Sequence, residues 1–194
     1  MGQRSQIYIR HENKLVVANY YQWNYGERMI SRARGIIEWI KEHSEFSFIW
    51  EDKYYMTKLS RICDTNFDMR DVVISCDIIK EWQEEFPQEP FNDCVFKYQD
   101  NNDGQLFIDV KSDSSIKYAL SYNPDYTKIL NCENYLIEDL EKDWQTPTEY
   151  LTQEDIDTCK KNIEYISANA ELMTAEELYN FVNYDYQSKG AHND

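Results

Sequence analysis

Two short stretches at the start of the chain are rich in β-branched and aromatic residues. The first covers residues 6–10 and the second covers residues 14–21, and a polar tripeptide separates them. Residues of these types favour strands, and a short polar break between two such stretches is typical of a tight turn. The pattern therefore predicts an N-terminal β-hairpin with its turn at His11-Glu12-Asn13.

A helical pattern follows the hairpin. Between residues 29 and 40, apolar side chains recur at intervals of three and four, while charged side chains fall mainly on the other faces. This periodicity predicts an amphipathic helix that ends near His43. Residues 51–63 show the same spacing and predict a second helix.

The middle of the chain changes its pattern twice. The run from Val72 to Ile79 fits either a buried strand or the start of a helix, and we predict a helix from Ser75 because helix formers continue toward Pro87. From Cys94 the apolar residues alternate with a period of two, which predicts an antiparallel meander. The predicted strands of the meander cover residues 95–98, 105–110 and 116–122.

Helical signals return in the last third of the chain. Residues 134–144 have a helical pattern, and Thr152 is placed to cap a helix running toward Ser167. Thr174 and Glu177 have the spacing of a capping box, which predicts a short final helix through Val182. The sequence thus predicts an α+β fold in which an antiparallel sheet of about five strands, the hairpin plus the meander, packs with several helices. We expect one domain over residues 1–184 and a flexible tail over residues 185–194.

Composition narrows the class of protein. The chain has 194 residues, of which 42% are hydrophobic, so it can bury a sizeable core despite its charge. No apolar run is long enough for a membrane span or a signal peptide, which predicts a cytoplasmic protein acting in a host cell. The five cysteines stand singly, without metal-ligand spacing, so we expect free thiols, no metal and no cofactor.

The charge is divided unevenly along the chain. The net charge is −16, yet residues 1–42 hold seven Lys and Arg against four Asp and Glu, while residues 43–194 hold thirteen against thirty-two. A strong anion of this kind suits binding to a basic macromolecular surface better than binding to a phosphate backbone. We therefore expect a basic protein partner and favour a binding protein over an enzyme, while direct nucleic-acid binding and homodimerisation stay open.

Six aromatic and basic residues near the N-terminus form the first candidate site. Aromatic rings can stack or donate hydrogen bonds, and guanidinium groups can bind carboxylates or phosphates in a bidentate manner, so this composition is typical of a protein interface. The alternative is that the rings form a wall of the core and the arginines pair with the surplus acid. The residues of this basic aromatic cluster are Tyr20, Tyr21, Trp23, Tyr25, Arg28 and Arg32.

Two groups of acidic residues form the second candidate site. Carboxylates held at regular positions on predicted helices can imitate the phosphates of DNA and attract a basic nucleic-acid channel. A merely soluble charged surface has the same composition. The first group is Glu81, Glu84 and Glu85, and the second group is Glu138, Asp139 and Glu141.

A metal-independent, ribonuclease-like enzyme acting on guide RNA is the enzymatic alternative. His11 could move a proton, Tyr25 could assist it, and a guanidinium group could stabilise the charge on phosphorus. The candidate residues for this reading are Arg10, His11, Tyr25 and Arg28.

The N-terminal third carries a resemblance. The runs MGQRSQIYIR over residues 1–10 and ANYYQWNYGERMISRARGI over residues 18–36 look like parts of small uncharacterised proteins carried by phages and mobile elements of Gram-positive bacteria, with a looser likeness over residues 66–75. In size, acidity and lack of enzyme motifs the chain is also similar to anti-CRISPR proteins directed at type II effectors. The resemblance implies a protein that blocks an RNA-guided nuclease. An immunity protein against a toxin nuclease would share the charge pattern, with a different partner.

Overall fold

A computed structural model of the chain provides the fold. The residues that it describes are 4–22, 26–43, 47–52, 55–56, 59, 73–98, 104–122, 126, 128–140, 144–149 and 151–187.

Six strands form one open, mixed sheet in the order β3-β2-β1-β4-β5-β6. The pairs β1–β4 and β5–β6 are parallel, and the other neighbouring strands are antiparallel. The strands are β1 (Arg4–His11), β2 (Lys14–Gln22), β3 (Val73–Asp77), β4 (Gln105–Val110), β5 (Ile116–Ser121) and β6 (Glu171–Leu172).

Helices cover both faces of this sheet. Within the described residues, the α-helices are α1 (Gly26–His43), α2 (Ile78–Glu85), α3 (Phe91–Phe96), α4 (Cys132–Leu140), α5 (Gln153–Asn169) and α6 (Ala175–Val182), and a 3₁₀ turn covers Ser47–Trp50. Helices α1, α4 and α5 cover one face of the sheet, and together with that face we call them the α1 layer. Helices α2, α3 and α6 cover the opposite face, and together with it we call them the α2 layer.

The predicted hairpin and the helix after it are confirmed. β1 and β2 pair as the sequence predicted, and Glu12 and Asn13 in the turn have φ angles of 47° and 66°, the left-handed values that a two-residue hairpin turn uses. In α1 the six periodic apolar residues are all fully buried against the sheet. Full burial of each such side chain contributes about 1.5–3 kcal/mol, so this face fixes the helix on the sheet. These residues are Met29, Ile30, Ala33, Ile36, Ile37 and Ile40.

Both predicted helix caps in the last third are present. The backbone N–H of Asp155 donates to Thr152 Oγ1 at 3.2 Å, and the Asp155 carboxylate accepts the N–H of Thr152 at 2.8 Å. Thr174 and Glu177 form the same reciprocal pair at the start of α6, which ends at Val182 as predicted. Each capping box satisfies backbone donors that have no partner inside the helix.

The sheet differs from the predicted one in number and direction of strands. It has six strands, and β1 takes β4 as a parallel neighbour, so the hairpin and the second hairpin (β4 and β5) join edge to edge. The predicted strand over residues 95–98 is wrong, because Phe91, Val95 and Phe96 lie on the buried side of helix α3. The spacing of four between Phe91 and Val95 is helical, but a six-residue helix is too short for the period to be recognised.

Two helix boundaries also differ. Ser75 lies in β3, and α2 begins only at Ile78, because the Asp77 carboxylate accepts the N–H of Lys80 and caps the helix there. α4 spans Cys132–Leu140, so it starts and ends earlier than the predicted helix over residues 134–144. Of the predicted helix over 51–63, residues 55, 56 and 59 are described as helical, residues 51 and 52 are described as non-helical, and the rest lies outside the described residues.

The predicted tail is partly wrong. Tyr186 is 2% exposed, packs against Phe91 at a ring distance of 5.7 Å, and donates its hydroxyl to the carbonyl of Phe181 at 2.8 Å. An aromatic ring fixed in this way belongs to the core. Residues 188–194 lie outside the described residues.

Candidate functional site

The basic aromatic cluster lies mostly inside the protein. Tyr20 and Tyr21 are consecutive on β2, so they point into opposite layers, and they are 2% and 0% exposed. Arg32 is also fully buried, and its guanidinium lies 4.8 Å from the ring centre of Tyr21. These three residues form core contacts and not the exposed interface that the sequence predicted. Arg28 is half-buried, and Trp23 and Tyr25 lie outside the described residues.

The structure does not bring together the described ribonuclease candidates Arg10, His11 and Arg28, and Tyr25 lies outside the described residues. Arg10 and His11 are consecutive on β1 and face opposite layers, with His11 stacked on Trp50 at 4.3 Å between ring centres. Burial lowers the pKa of His11. Arg28 lies near the start of α1, six residues after Gln22. Gln22 pairs with Arg4, which is at the opposite end of β1 from His11. The histidine and this arginine therefore do not form a common site.

Arg10 takes part in a buried ion pair instead. Its Nε and Nη2 atoms donate to the two carboxylate oxygens of Asp109 at 2.9 and 2.6 Å, and both side chains are 5% exposed. The guanidinium carbon lies 4.4 Å from the ring centre of Phe181, and Lys111 binds the same carboxylate. Burial acts to raise the pKa of Asp109, but the hydrogen bonds and charges of Arg10 and Lys111 outweigh it and leave the pKa below its ordinary value.

A small polar cleft of about 270 Å³ opens beside this ion pair. It lies at the carboxyl ends of the parallel strands β1 and β4, a position where many sheets bind ligands. Asp109 is ionised and held by two cations, so it can neither donate a proton nor attract a further cation strongly. The cleft offers hydrogen bonds but assembles no acid–base pair. Its lining residues are Glu12, Asn13, Asp109, Lys111 and Ser112.

Glu81 from the first acidic group has a structural role. Its carboxylate accepts a hydrogen bond from the Cys76 thiol at 2.6 Å and from the Tyr98 hydroxyl at 2.8 Å, which ties β3, α2 and the end of α3 together. Burial, with the hydrogen bond to Glu81, raises the pKa of Cys76 to about 12, so the thiol is protonated and a poor nucleophile at neutral pH. Among the described residues no three His, Cys, Asp or Glu side chains are grouped to hold a metal ion.

The two acidic groups do not share a surface. Glu84 and Glu85 are exposed on α2, whereas Glu138 is on α4, on the other side of the sheet, where it pairs with Lys128. The Asp139 side chain and Glu141 lie outside the described residues. The single acidic face that the sequence predicted from both groups is therefore not formed by them.

The α2 layer carries an acidic surface that is formed by a different set of residues. Residues 77–97, which contain α2 and α3, hold six acidic residues against two lysines, and residues 171–187, which contain α6, hold four acidic residues and no Lys or Arg. The net charge of these two segments is −8. Over the helices alone, α2, α3 and α6 carry −5 in 22 residues, whereas α1, α4 and α5 carry −4 in 44 residues. The second segment has no local signal in the sequence, because α6 lies beside α3 through tertiary contacts, in which Asn92 donates to the carbonyls of Val182 and Tyr184. The added residues are Glu171, Glu176, Glu177 and Asp185.

Several of these carboxylates are available to a partner. Within the described residues, Glu85, Glu89 and Glu176 are exposed and no cation pairs with them, and the ion pair of Glu84 with Lys80 is long at 3.8 Å and exposed. Exposed pairs of this kind contribute about 0–1 kcal/mol, so a basic partner can replace them at little cost.

Comparisons with protein-family models, curated proteins and solved structures found no match to this chain. Among the described residues, no helix has both the length and the apolar character needed to cross a membrane.

Proposed function

We propose that the protein is a binding protein, encoded by a mobile element, that blocks a bacterial nucleic-acid-handling defence effector through the acidic surface of the α2 layer. An RNA-guided nuclease is the effector that the sequence resemblance favours. The observation that supports the proposal is the excess of acid in the two segments of the α2 layer, residues 77–97 and 171–187. They hold ten acidic residues, one of which is the structural Glu81, against two lysines and Lys117 from β5.

Such a surface matches the charge of a nucleic-acid channel. A groove that accepts guide RNA and target DNA must be lined by cations, and an organised anion is drawn to it quickly and competes with the phosphate backbone. The carboxylates of the α2 layer stand on helices fixed to the sheet by an aromatic core, so little ordering is needed on binding. Among the described candidates for the ribonuclease reading, Arg10 and His11 face opposite layers, so their side chains do not converge.

A matched pair of charge-reversal variants tests the proposal. One variant carries Glu84→Lys, Glu85→Lys and Glu89→Lys in the α2 layer, and the control carries Glu154→Lys, Asp157→Lys and Glu164→Lys on α5. All six positions are exposed, and both variants change the net charge equally. Binding to a purified type II RNA-guided nuclease without its guide, and inhibition of its DNA cleavage, are measured over a range of salt concentrations.

We expect the α2-layer variant to bind about 10- to 100-fold more weakly, mainly through slower association, and with a smaller dependence on salt. The α5 variant should stay close to the unaltered chain. Equal losses in both variants would mean that net charge alone matters, and no binding by the unaltered chain would overturn the proposal. Inhibition of a toxin nuclease in place of the RNA-guided enzyme would favour an immunity protein.

A further inference from the structure

An exposed aromatic residue stands among the glutamates at the end of α2. The eight residues from Gln83 to Pro90 are all exposed, and they contain Phe86, whose side chain is 46% exposed. The position follows directly after the last turn of α2. Single exposed apolar residues are common on protein surfaces, so exposure by itself assigns no role. The surroundings of Phe86 give it one.

The turn that carries Phe86 is rigid. The N–H of Phe86 donates to the carbonyl of Trp82, and the N–H of Glu89 donates to the carbonyl of Phe86, both at 3.0 Å. The indole N–H of Trp82 closes the turn by donating to the carbonyl of Glu89 at 3.1 Å. Trp82 is itself buried and packs edge-on against Phe91 at 5.0 Å. Pro87 adds a fixed φ angle. An exposed ring on such a support loses little entropy when a partner covers it.

The chemistry around the ring selects the partner. Glu84, Glu85 and Glu89 lie within three residues of Phe86, on both sides of it along the chain. An aromatic residue inside a charged rim has the composition of an interface hot spot, in which the ring fills a pocket and the rim pairs with opposite charges. The carboxylates repel nucleic acid and anionic lipid. The complementary surface is therefore a protein groove that is basic and has an apolar pocket.

We infer that Phe86 is the apolar anchor of the acidic surface and inserts into an apolar pocket within the basic groove of the partner protein. This inference rests on the proposed function, because the acidic surface must first bring the two proteins together. Charge then governs the rate of association, and the buried ring governs the rate of dissociation.

The test compares two exposed apolar residues on opposite layers. Phe86→Ala removes the ring, and Ile137→Ala on α4 removes a side chain that is 51% exposed. Both variants are bound, at several salt concentrations, to the guide-free RNA-guided nuclease used above. We expect Phe86→Ala to weaken binding about 10- to 30-fold through faster dissociation, with an unchanged salt dependence because no charge is lost. Ile137→Ala should bind like the unaltered chain.

The two proposals fail in different ways. If the Glu84, Glu85 and Glu89 reversals weaken binding but Phe86→Ala does not, the anchor is overturned and the acidic surface stands. An equal loss from Ile137→Ala would also overturn the anchor. If the unaltered chain does not bind the nuclease, both proposals are overturned. Circular dichroism of each variant, which should match the unaltered chain, excludes misfolding as the cause of a loss.

Discussion

The two layers that cover the sheet are built from different residues. Of the seventeen described core residues in the α2 layer, nine are aromatic, whereas six of the twenty-nine in the α1 layer are aromatic and most of the rest are aliphatic. The helices differ in the same way, since α1 and α5 have 18 and 17 residues but α2, α3 and α6 have eight, six and eight. Helices this short are not stable alone, so tertiary contacts must hold them in place.

Hydrogen bonds from the sheet and from Tyr126, which follows β5, supply such contacts to α3 in the α2 layer. The hydroxyl of Tyr8 donates to the carbonyl of Val95 at 2.8 Å, and Tyr126 and Gln105 donate to the carbonyl of Phe96 at 2.6 and 3.0 Å. These carbonyls lie at the C-terminal end of α3, where a helix has acceptors without partners. The aromatic layer is thus fixed by specific polar links, and this explains how short helices can present a rigid acidic surface.

The α1 layer has a polar link between its two long helices. Asn162 on α5 donates to Ser31 Oγ at 2.9 Å and accepts from Nη1 of Arg34 at 3.0 Å, which joins α5 to α1. Around this link the contacts are aliphatic side chains packed along long helices. The comparison predicts that substitutions removing a polar group lower the free energy of unfolding most strongly in the α2 layer.

The largest effect is expected at Asp109. Replacing it by Leu leaves the guanidinium of Arg10 buried without its carboxylate, and breaking a buried ion pair in this way costs about 3–5 kcal/mol. The double variant Arg10→Met with Asp109→Leu removes both charges and should recover most of that loss. Urea unfolding of the three proteins measures the difference. If the double variant is as unstable as Asp109→Leu alone, the ion pair is not the source of the loss.

A smaller effect is expected from two neighbours on β1. Tyr8→Phe leaves the carbonyl of Val95 without the Tyr8 donor in a buried site, at a cost of about 1–3 kcal/mol. Ile7, the preceding residue, faces the α1 layer, and Ile7→Val should cost about 0.5–1.5 kcal/mol. The free energy of unfolding in urea ranks the two variants. A larger loss from Ile7→Val would contradict the picture of an α2 layer fixed by polar links.

Sequence reasoning succeeded where a local signal was sufficient. The hairpin needs only its two strands and a polar turn, and α1 has a regular apolar periodicity over residues 29–40. The capping boxes that begin at Thr152 and Thr174 each lie within four residues. It failed where a distant residue decides the outcome. The parallel pairing of β1 with β4 joins residues about a hundred positions apart, and Tyr186 is buried only because Phe91 and Phe181 lie against it.

The candidate sites show the same limit. Tyr20, Tyr21 and Arg32 have the composition of an interface, but buried cores use the same rings and cation–π contacts, and only the alternation along β2 separates the two cases. The two acidic groups do not form one surface as predicted, because α2 and α4 occupy opposite layers. A reader of the sequence could have noticed that Asp77 precedes a run of helix formers and is a natural N-cap.

The smallest effect is expected at His11, whose contact with the α1 layer is tested by the pH dependence of stability. Burial lowers the pKa of His11 below its ordinary value of 6.5, although the charges of Glu12 and Asp109 act in the opposite direction. The unfolded chain therefore takes up this proton at a higher pH than the folded chain, so stability should fall as the pH decreases through about 6.5. The Arg10–Asp109 pair is unaffected in that range, because the pKa of Asp109 lies below 3.8.

His11→Phe should flatten this dependence, since it keeps a ring against Trp50 and removes the titrating group. Urea unfolding at about pH 7.5 and about pH 5.5, on either side of the ordinary histidine value, compares the two proteins. The unaltered chain should lose more stability between these conditions than the variant loses, and the difference should be smaller than the effects of Asp109→Leu and Tyr8→Phe. Identical losses would place the pH sensitivity elsewhere in the molecule, whereas a difference assigns it to the stacked histidine on the α1 side of β1.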